Sequence, residues 1–265
     1  MRRALQLICV FLISQAFEVH AQNPKQIVQQ AVQTELAASQ NDHTHWMYYE
    51  SEHEPKRTVE QWVAEAQSAG VQRVLKRNGQ QLSESQQRTE MDSFINDTRT
   101  QAKQRKSSQH DDDQATEMLR LLPDAFLWTK SGEQGSATIL HFKPDPQFHP
   151  PDLEARVFSA MEGDIAVDTA QHRIASLKGR LIHDVRFAGG LLGELKAGGS
   201  FDVERREIGD DKEWQITETH VHMQGHALLF KTISVNEDDQ KSKFRQIPAN
   251  TSLRDAESQL MQLGK

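Results

Sequence analysis

The chain has 265 residues, a net charge of −7, and 36% hydrophobic against 26% charged residues. That length suits one large domain or two small ones. The acidic balance excludes nucleic acid as the main partner, because phosphate backbones demand concentrated Lys and Arg. One cysteine, Cys9, excludes a disulfide framework.

Arg2 and Arg3 precede a mostly apolar run, Ala4–Phe17, and Val19-His20-Ala21 offers a small-residue cleavage site before Gln22. These features predict a signal peptide over 1–21, cleaved near Ala21, and export to the periplasm or the medium. The run is short for a bilayer span, which needs about 20 apolar residues. Residues 22–265 then form one mature domain with no transmembrane span and no cysteine.

Asn23–Gln40 carries Ile27, Ala31, Val32, Leu36 and Ala37 near helical spacing, with Pro24 suited to the first turn. His43–Glu54 alternates and is rich in aromatics, which predicts a strand with Trp46, Tyr48 and Glu50 on one face. Thr58–Gln67 fits helix or strand alone; between strand-like runs, and before Val71–Lys76, it reads as a strand. Leu82–Asp113 is the most polar region. Met91, Phe94, Ile95, Thr98 and Ala102 predict a helix there, and Asp111-Asp112-Asp113 predicts a solvated acidic linker. Those aspartates lack the alternating oxygens, central glycine and distant glutamate of a calcium loop. Gln114–Leu122 reads as a short helix stopped by Pro123, which closes a helical insert over 82–122. Ala125–Thr129 and Ser136–Lys143 predict a hairpin, and Pro144–Pro151 a rigid crossing.

Leu153–Val235 reads as a β-meander: Leu153–Ala160, Asp164–Asp168, Arg173–Phe187, Ser200–Ile208, Glu213–Met223 and His226–Val235. The longest of these, Arg173–Phe187, puts Leu177, Gly179, Leu181, Val185 and Phe187 on one face and charged residues on the other. One covered and one wet face is the mark of an antiparallel sheet. Lys241–Pro248 reads as an edge strand or loop. Leu253, Ala256, Leu260 and Leu263 predict a terminal helix.

The motifs carry little chemistry. The glycine-rich loop Ala188–Gly199 lacks the Lys-Ser/Thr ending of a phosphate-binding loop, and it carries Leu191, Leu192 and Leu195 either outward or back onto the core. His220-x-His222 places two imidazoles on one strand face, with His226 just beyond, but no carboxylate is evident beside them. His43-x-His45 is a weaker version of the same spacing. Asp210-Asp211 and Glu237-Asp238-Asp239 read as turn residues. No nucleophile has a recognisable frame. The expectation is a protein without catalytic residues, metal or cofactor.

Met161-Glu162-Gly163-Asp164-Ile165-Ala166-Val167-Asp168 and Arg173-Ile174-Ala175-Ser176-Leu177-Lys178-Gly179 form a strand, Asp turn, strand unit. With the signal peptide and N-terminal helix, this arrangement resembles the periplasmic lipoprotein-carrier family, LolA and LolB. The resemblance implies an α+β fold: an antiparallel β-meander forming an incomplete barrel, covered by N- and C-terminal helices and the helical insert. It also implies an apolar cavity that shields lipid or lipoprotein acyl chains. The residues of this chain that would line it are Leu177, Leu181, Val185, Phe187, Leu191, Leu192, Leu195, Trp214 and Ile216. A rival reading is an envelope protein-interaction or sensor module on the same scaffold. A lesser one is a metal-dependent enzyme using His220 and His222.

Overall fold

The computed structural model describes residues 23–188, 193–210, 212–227 and 236–263, the side chains of 226 and 227 excepted. Asn23 caps α1 (Pro24–Asn41), accepting from the Lys25 N–H at 3.0 Å, and Pro24 occupies the first turn. β1 (His45–Glu54), β2 (Arg57–Glu65), β3 (Gly70–Arg77) and β4 (Gln80–Gln81) follow as antiparallel neighbours. The ambiguous run at Thr58–Gln67 is thus a strand. Its periodicity was unclear because Gln61, Trp62, Val63 and Ala64 are all buried, so both faces of β2 are covered.

The polar insert is two helices rather than a helix, a linker and a second short helix. α2 (Glu84–Asn96) opens on a capping box between Ser83 and Gln86. α3 (Thr98–Ala125) then runs for 28 residues. Asp97 makes the break between them: its N–H closes α2 onto the Phe94 carbonyl, while its side chain accepts from the Arg99 and Thr100 N–H groups at 3.0 Å. The aspartates 111–113 are therefore helical. Both ends of α3 hold it in place. Gln101 donates to the Phe94 and Ile95 carbonyls, Gln104 exchanges hydrogen bonds with Gly70, and Leu122 is buried in the core. Pro123 does not stop the helix. It sits in the last turn, and its carbonyl accepts from the Trp128 indole N–H at 3.1 Å.

β5 (Phe126–Gln134) and β6 (Ala137–Pro144) form the expected hairpin. Leu153–Ala160 is no strand: Glu154–Ala160 is a 3₁₀ segment, with the Asp152 carboxylate accepting from the Ala155 N–H at 2.7 Å. β7 (Met161–Asp168) and β8 (Ile174–Leu181) follow. The long strand expected over Arg173–Phe187 ends at Leu181. There the Leu181 N–H turns to the Gly199 carbonyl and the Ile182 N–H to the Ala160 carbonyl, both at 2.7 Å. β9 (Val185–Phe187) continues with Val185 and Phe187 still inward, which is why the alternation runs unbroken through the bend. β10 (Gly193–Leu195), β11 (Ser200–Ile208), β12 (Glu213–His222), β13 (Gly225–Ala227), β14 (Asn236–Ile247) and α4 (Leu253–Gln262) complete the order. Most of the strand expected over His226–Val235 lies outside the described residues.

Among the described residues, eleven strands make one antiparallel sheet in the order β4-β3-β2-β1-β14-β12-β11-β8-β7-β6-β5. It is not closed into a barrel. β9, β10 and β13 make a separate three-stranded sheet. β14 is not an edge but the bridge between the two halves, pairing with β1 and β12. Its polar sequence concealed this. Its main aromatic anchor is Phe244, which packs on Trp46 and Tyr48 at 6.2 and 5.4 Å.

Residues directly opposed in an antiparallel ladder share a face. Following such pairs across the sheet puts Leu140, Ile165, Leu177 and Val203 on one side, here the front, together with Asp239 and Glu50. His141, Asp164, Lys178, Asp202, His220 and Asp238 lie on the rear. Two hydrophobic clusters occupy opposite faces. On the front of the β5–β8 half, α1, the end of α3 and the small sheet enclose Leu140, Phe142, Ile165, Leu181 and Phe187. On the rear of the β1–β3 half, α2 and α4 cover Trp62, Val71 and Leu75, with Met91 of α2 packed among them. The two terminal helices thus cover the sheet from opposite sides. Arg73 fixes the rear layer, donating to Gln87 of α2 and to the Leu260 and Leu263 carbonyls at the end of α4.

Gly163 and Gly179 face each other across β7 and β8. A methyl at Gly163 would collide with the Lys178 carbonyl oxygen and lie 2.6 Å from the Gly179 Cα; one at Gly179 would lie 2.6 Å from the Phe201 ring. The pair lets the two strands approach and the ring lie across them. Gly163→Ala is expected to cost about 2 kcal/mol in urea unfolding. A variant as stable as the parent would show that the ladder yields freely.

Candidate functional site

The front wall of the β5–β9 half is the largest apolar surface that sequence reasoning pointed to. Leu181, Val185, Phe187 and Leu195 join one cluster, with Leu177 half-buried at its margin. Leu195 is folded back onto the core by the small sheet, not carried outward. Leu191 and Leu192 lie outside the described residues. Trp214 and Ile216 belong to neither cluster among the described residues. Ile216 is 42% exposed, and the Trp214 indole donates to the Gln171 side chain at 3.0 Å.

The wall is covered. Phe187 is 0% and Leu181 1% exposed. The cover is aliphatic on α1, through Val28, Ala31 and Val32, while Phe126 and Phe142 of the β5–β6 hairpin meet Phe158 of the 3₁₀ segment in an aromatic group, Phe126 lying 4.7 and 5.3 Å from the other two.

Glu35 latches this cover to the sheet. Its carboxylate accepts from Arg173 Nε and Nη2 at 3.1 Å, from the Ile174 N–H at 2.8 Å and from Arg205 Nη1 at 2.7 Å. All three side chains are largely buried. Burial alone would raise the Glu35 carboxyl, but the Arg173 hydrogen bond, the Arg205 charge and the Ile174 N–H together hold it below the usual range. Arg205 also donates to the Ile174 and Trp214 carbonyls, so the latch reaches β8 and β12. Sequence reasoning missed it, because the three residues are far apart in the chain and each looks like an ordinary surface charge.

A second buried charge group lies on the same front face, over β1, β2 and β14. Glu50 accepts from the Gln61 amide at 2.5 Å, and Lys241 stands 3.5 Å from Asp239 and 3.7 Å from Glu50. Asp239 Oδ1 is buried without a hydrogen-bond partner among the described residues. Burial pushes the Asp239 carboxyl up to about 6; Lys241 opposes the shift, and Glu50 and Glu52 add to it. Asp238 and Asp239 are thus strand residues, not the turn expected of them.

On the rear, the strand pairing supplies the carboxylate that the histidines lacked in sequence. Asp238 lies directly opposite His220. Its Oδ1 is 2.6 Å from His220 Nδ1 and 2.8 Å from His222 Nε2. The hydrogen bond to Asp238 raises the His220 imidazole above its ordinary range. His45 does not join such a group: its Nδ1 lies 2.6 Å from the Glu65 carbonyl oxygen. The His226 side chain lies outside the described residues.

Two further hollows are shallow and open. One, of about 580 Å³, lies between His43–His45 and 246–249, and the other, of about 430 Å³, between 143–148 and Ser159, Ile182 and His183. No helix among the described residues is long and apolar enough to cross a membrane. No family model, curated protein or solved structure matches the chain.

Proposed function

We propose that this chain is an exported, non-enzymatic protein that binds acyl chains of a lipid or lipoprotein on the front wall of its sheet, beneath α1. The observation that carries this reading is the wall itself. It is a contiguous apolar face on an open sheet, roofed by α1 and the end of α3 and flanked by the small three-stranded sheet. The ligand enters by displacing α1. Lifting α1 exposes Val28 and Val32, about 1.5–3 kcal/mol each, with smaller amounts at Ala31 and at the half-buried Ile27 and Leu36. Ten buried methylenes return about 8 kcal/mol. An ordinary acyl chain therefore offsets much of the exposure of this aliphatic face, and the Glu35 latch must open as well. Export follows from the N-terminal signal pattern.

The direct test is native purification followed by organic extraction and mass spectrometry. Co-purified acyl lipid near one equivalent per chain is the expected result, together with saturable binding of a fluorescent fatty acid. A lipid-free protein that also ignores the fluorescent probe would overturn the proposal.

A further inference from the structure

We propose that His220, His222 and Asp238 form a binding site for a divalent zinc-class metal ion on the rear face of the sheet. The site is independent of the acyl-chain reading and lies on the opposite side of the strands.

The geometry rests on two periodicities. Residues 220 and 222 are two apart on β12, so both side chains leave the same face. Asp238 stands on β14 directly opposite His220, in a ladder that holds neighbours about 5 Å apart. One ligand atom from each residue lies within 4.8 Å of the other two. His220 presents Nδ1 and His222 presents Nε2, both toward the same carboxylate oxygen. Two imidazoles and one carboxylate make the donor set of open metal sites, which leave remaining positions to water.

Zinc bound to nitrogen or oxygen at about 2.0–2.1 Å in tetrahedral geometry sets its donors roughly 3.3 Å apart. The present contacts are 2.6 and 2.8 Å. They must widen by roughly 0.7 and 0.5 Å. The three side chains are 32%, 53% and 36% exposed, so small rotations suffice and the ion has a path from solvent. The surroundings suit the task. The free nitrogen of His220, Nε2, faces Glu218 Oε2 at 3.8 Å, where a carboxylate orients a metal-bound imidazole. Arg206 donates to the other Glu218 oxygen at 3.2 Å and holds it. Lys178 engages Asp202 and Glu204, the carboxylates of β11 on the same face. Without metal the same three residues form a hydrogen-bonded cluster, with Asp238 accepting from both rings.

Equilibrium dialysis of the full chain against zinc chloride separates the two states. One tightly held equivalent per chain is expected, with a rise in melting temperature on adding zinc. Asp238→Asn keeps the shape and hydrogen bonding of the carboxylate, so folding is preserved; it should weaken zinc binding at least tenfold and abolish the thermal shift. His222→Ala should do the same. His43→Ala, in a different His-x-His, should leave binding unchanged. Cobalt in place of zinc should give a visible absorption band that both site variants lose. Zinc binding equal in the parent and in the His220→Ala/His222→Ala double variant would overturn the site, as would no binding at micromolar zinc.

Discussion

Glu35→Ala is expected to lower the stability of the protein by about 3–5 kcal/mol, the largest loss of any single substitution considered. The reason is what remains behind. Arg173 and Arg205 would keep their charges in a largely buried place, having lost the carboxylate they share. The Ile174 N–H would lose its acceptor as well. Glu35→Gln tests the charge separately, since the amide keeps one acceptor oxygen, and its loss should be smaller. The latch has a pH signature of known sign. The folded carboxyl is held below its ordinary value, so its contribution is present above the unfolded carboxyl range near pH 4 and is lost as pH falls through the lower folded value. Urea unfolding at pH 7 and pH 3 measures both. An alanine variant within 1 kcal/mol of the parent would mean that the arginines find other partners. α1 would then be held chiefly by its aliphatic face, with the exposed Lys25–Asp124 pair beside it.

Asp239→Asn is expected to act in the opposite direction. Asp239 has a carboxyl raised from 3.8 to about 6, which corresponds to a penalty on the order of 2–3 kcal/mol for keeping it ionised in the fold. An acid raised in the folded state binds its proton more tightly there than in the unfolded chain. Stability from this group is therefore greatest below about pH 4 and declines as pH rises toward 6. The amide removes that decline. The variant should gain about 2 kcal/mol at pH 8 and little at pH 4, where the parent carboxyl is already neutral. Chemical denaturation across pH 4–8 reads the difference. A loss at pH 8 would show that the Lys241 pairing outweighs the burial of the charge.

The two substitutions also show what the sequence could and could not disclose. Elements with one apolar stripe were legible. α1, α4 and the β5–β6 hairpin follow directly from period 3.6 or period 2, because each buries one face. Elements whose fate depends on distant partners were not. β14 reads as an edge because Lys241, Ser242, Lys243 and Arg245 are polar, yet β1 and β12 flank it. The aspartates 111–113 read as linker because local propensity says nothing of the anchors at Gln101, Gln104 and Leu122. The bend after Leu181 is invisible because the inward alternation resumes in phase at Val185.

The candidate sites divide along the same line. The apolar wall at Leu181, Val185 and Phe187 was readable as a face, but its cover was not. The histidine pair was readable from its spacing. Its carboxylate became visible only when β14 was placed beside β12. The Glu35 latch joins residues 138 and 170 positions apart, a distance that no local pattern spans.

The position of the proposed acyl site is tested most directly by photo-cross-linking. The protein would be incubated with a diazirine-bearing palmitic acid analogue, irradiated and digested, and the labelled peptides mapped by mass spectrometry. Labels are expected on α1 and on the β7–β9 peptides carrying Ile165, Leu181 and Phe187. Loosening the latch by Glu35→Gln should increase them. Labels confined to exposed positions such as Leu127 and Ile216, or none above a denatured control, would contradict an acyl-chain site beneath α1.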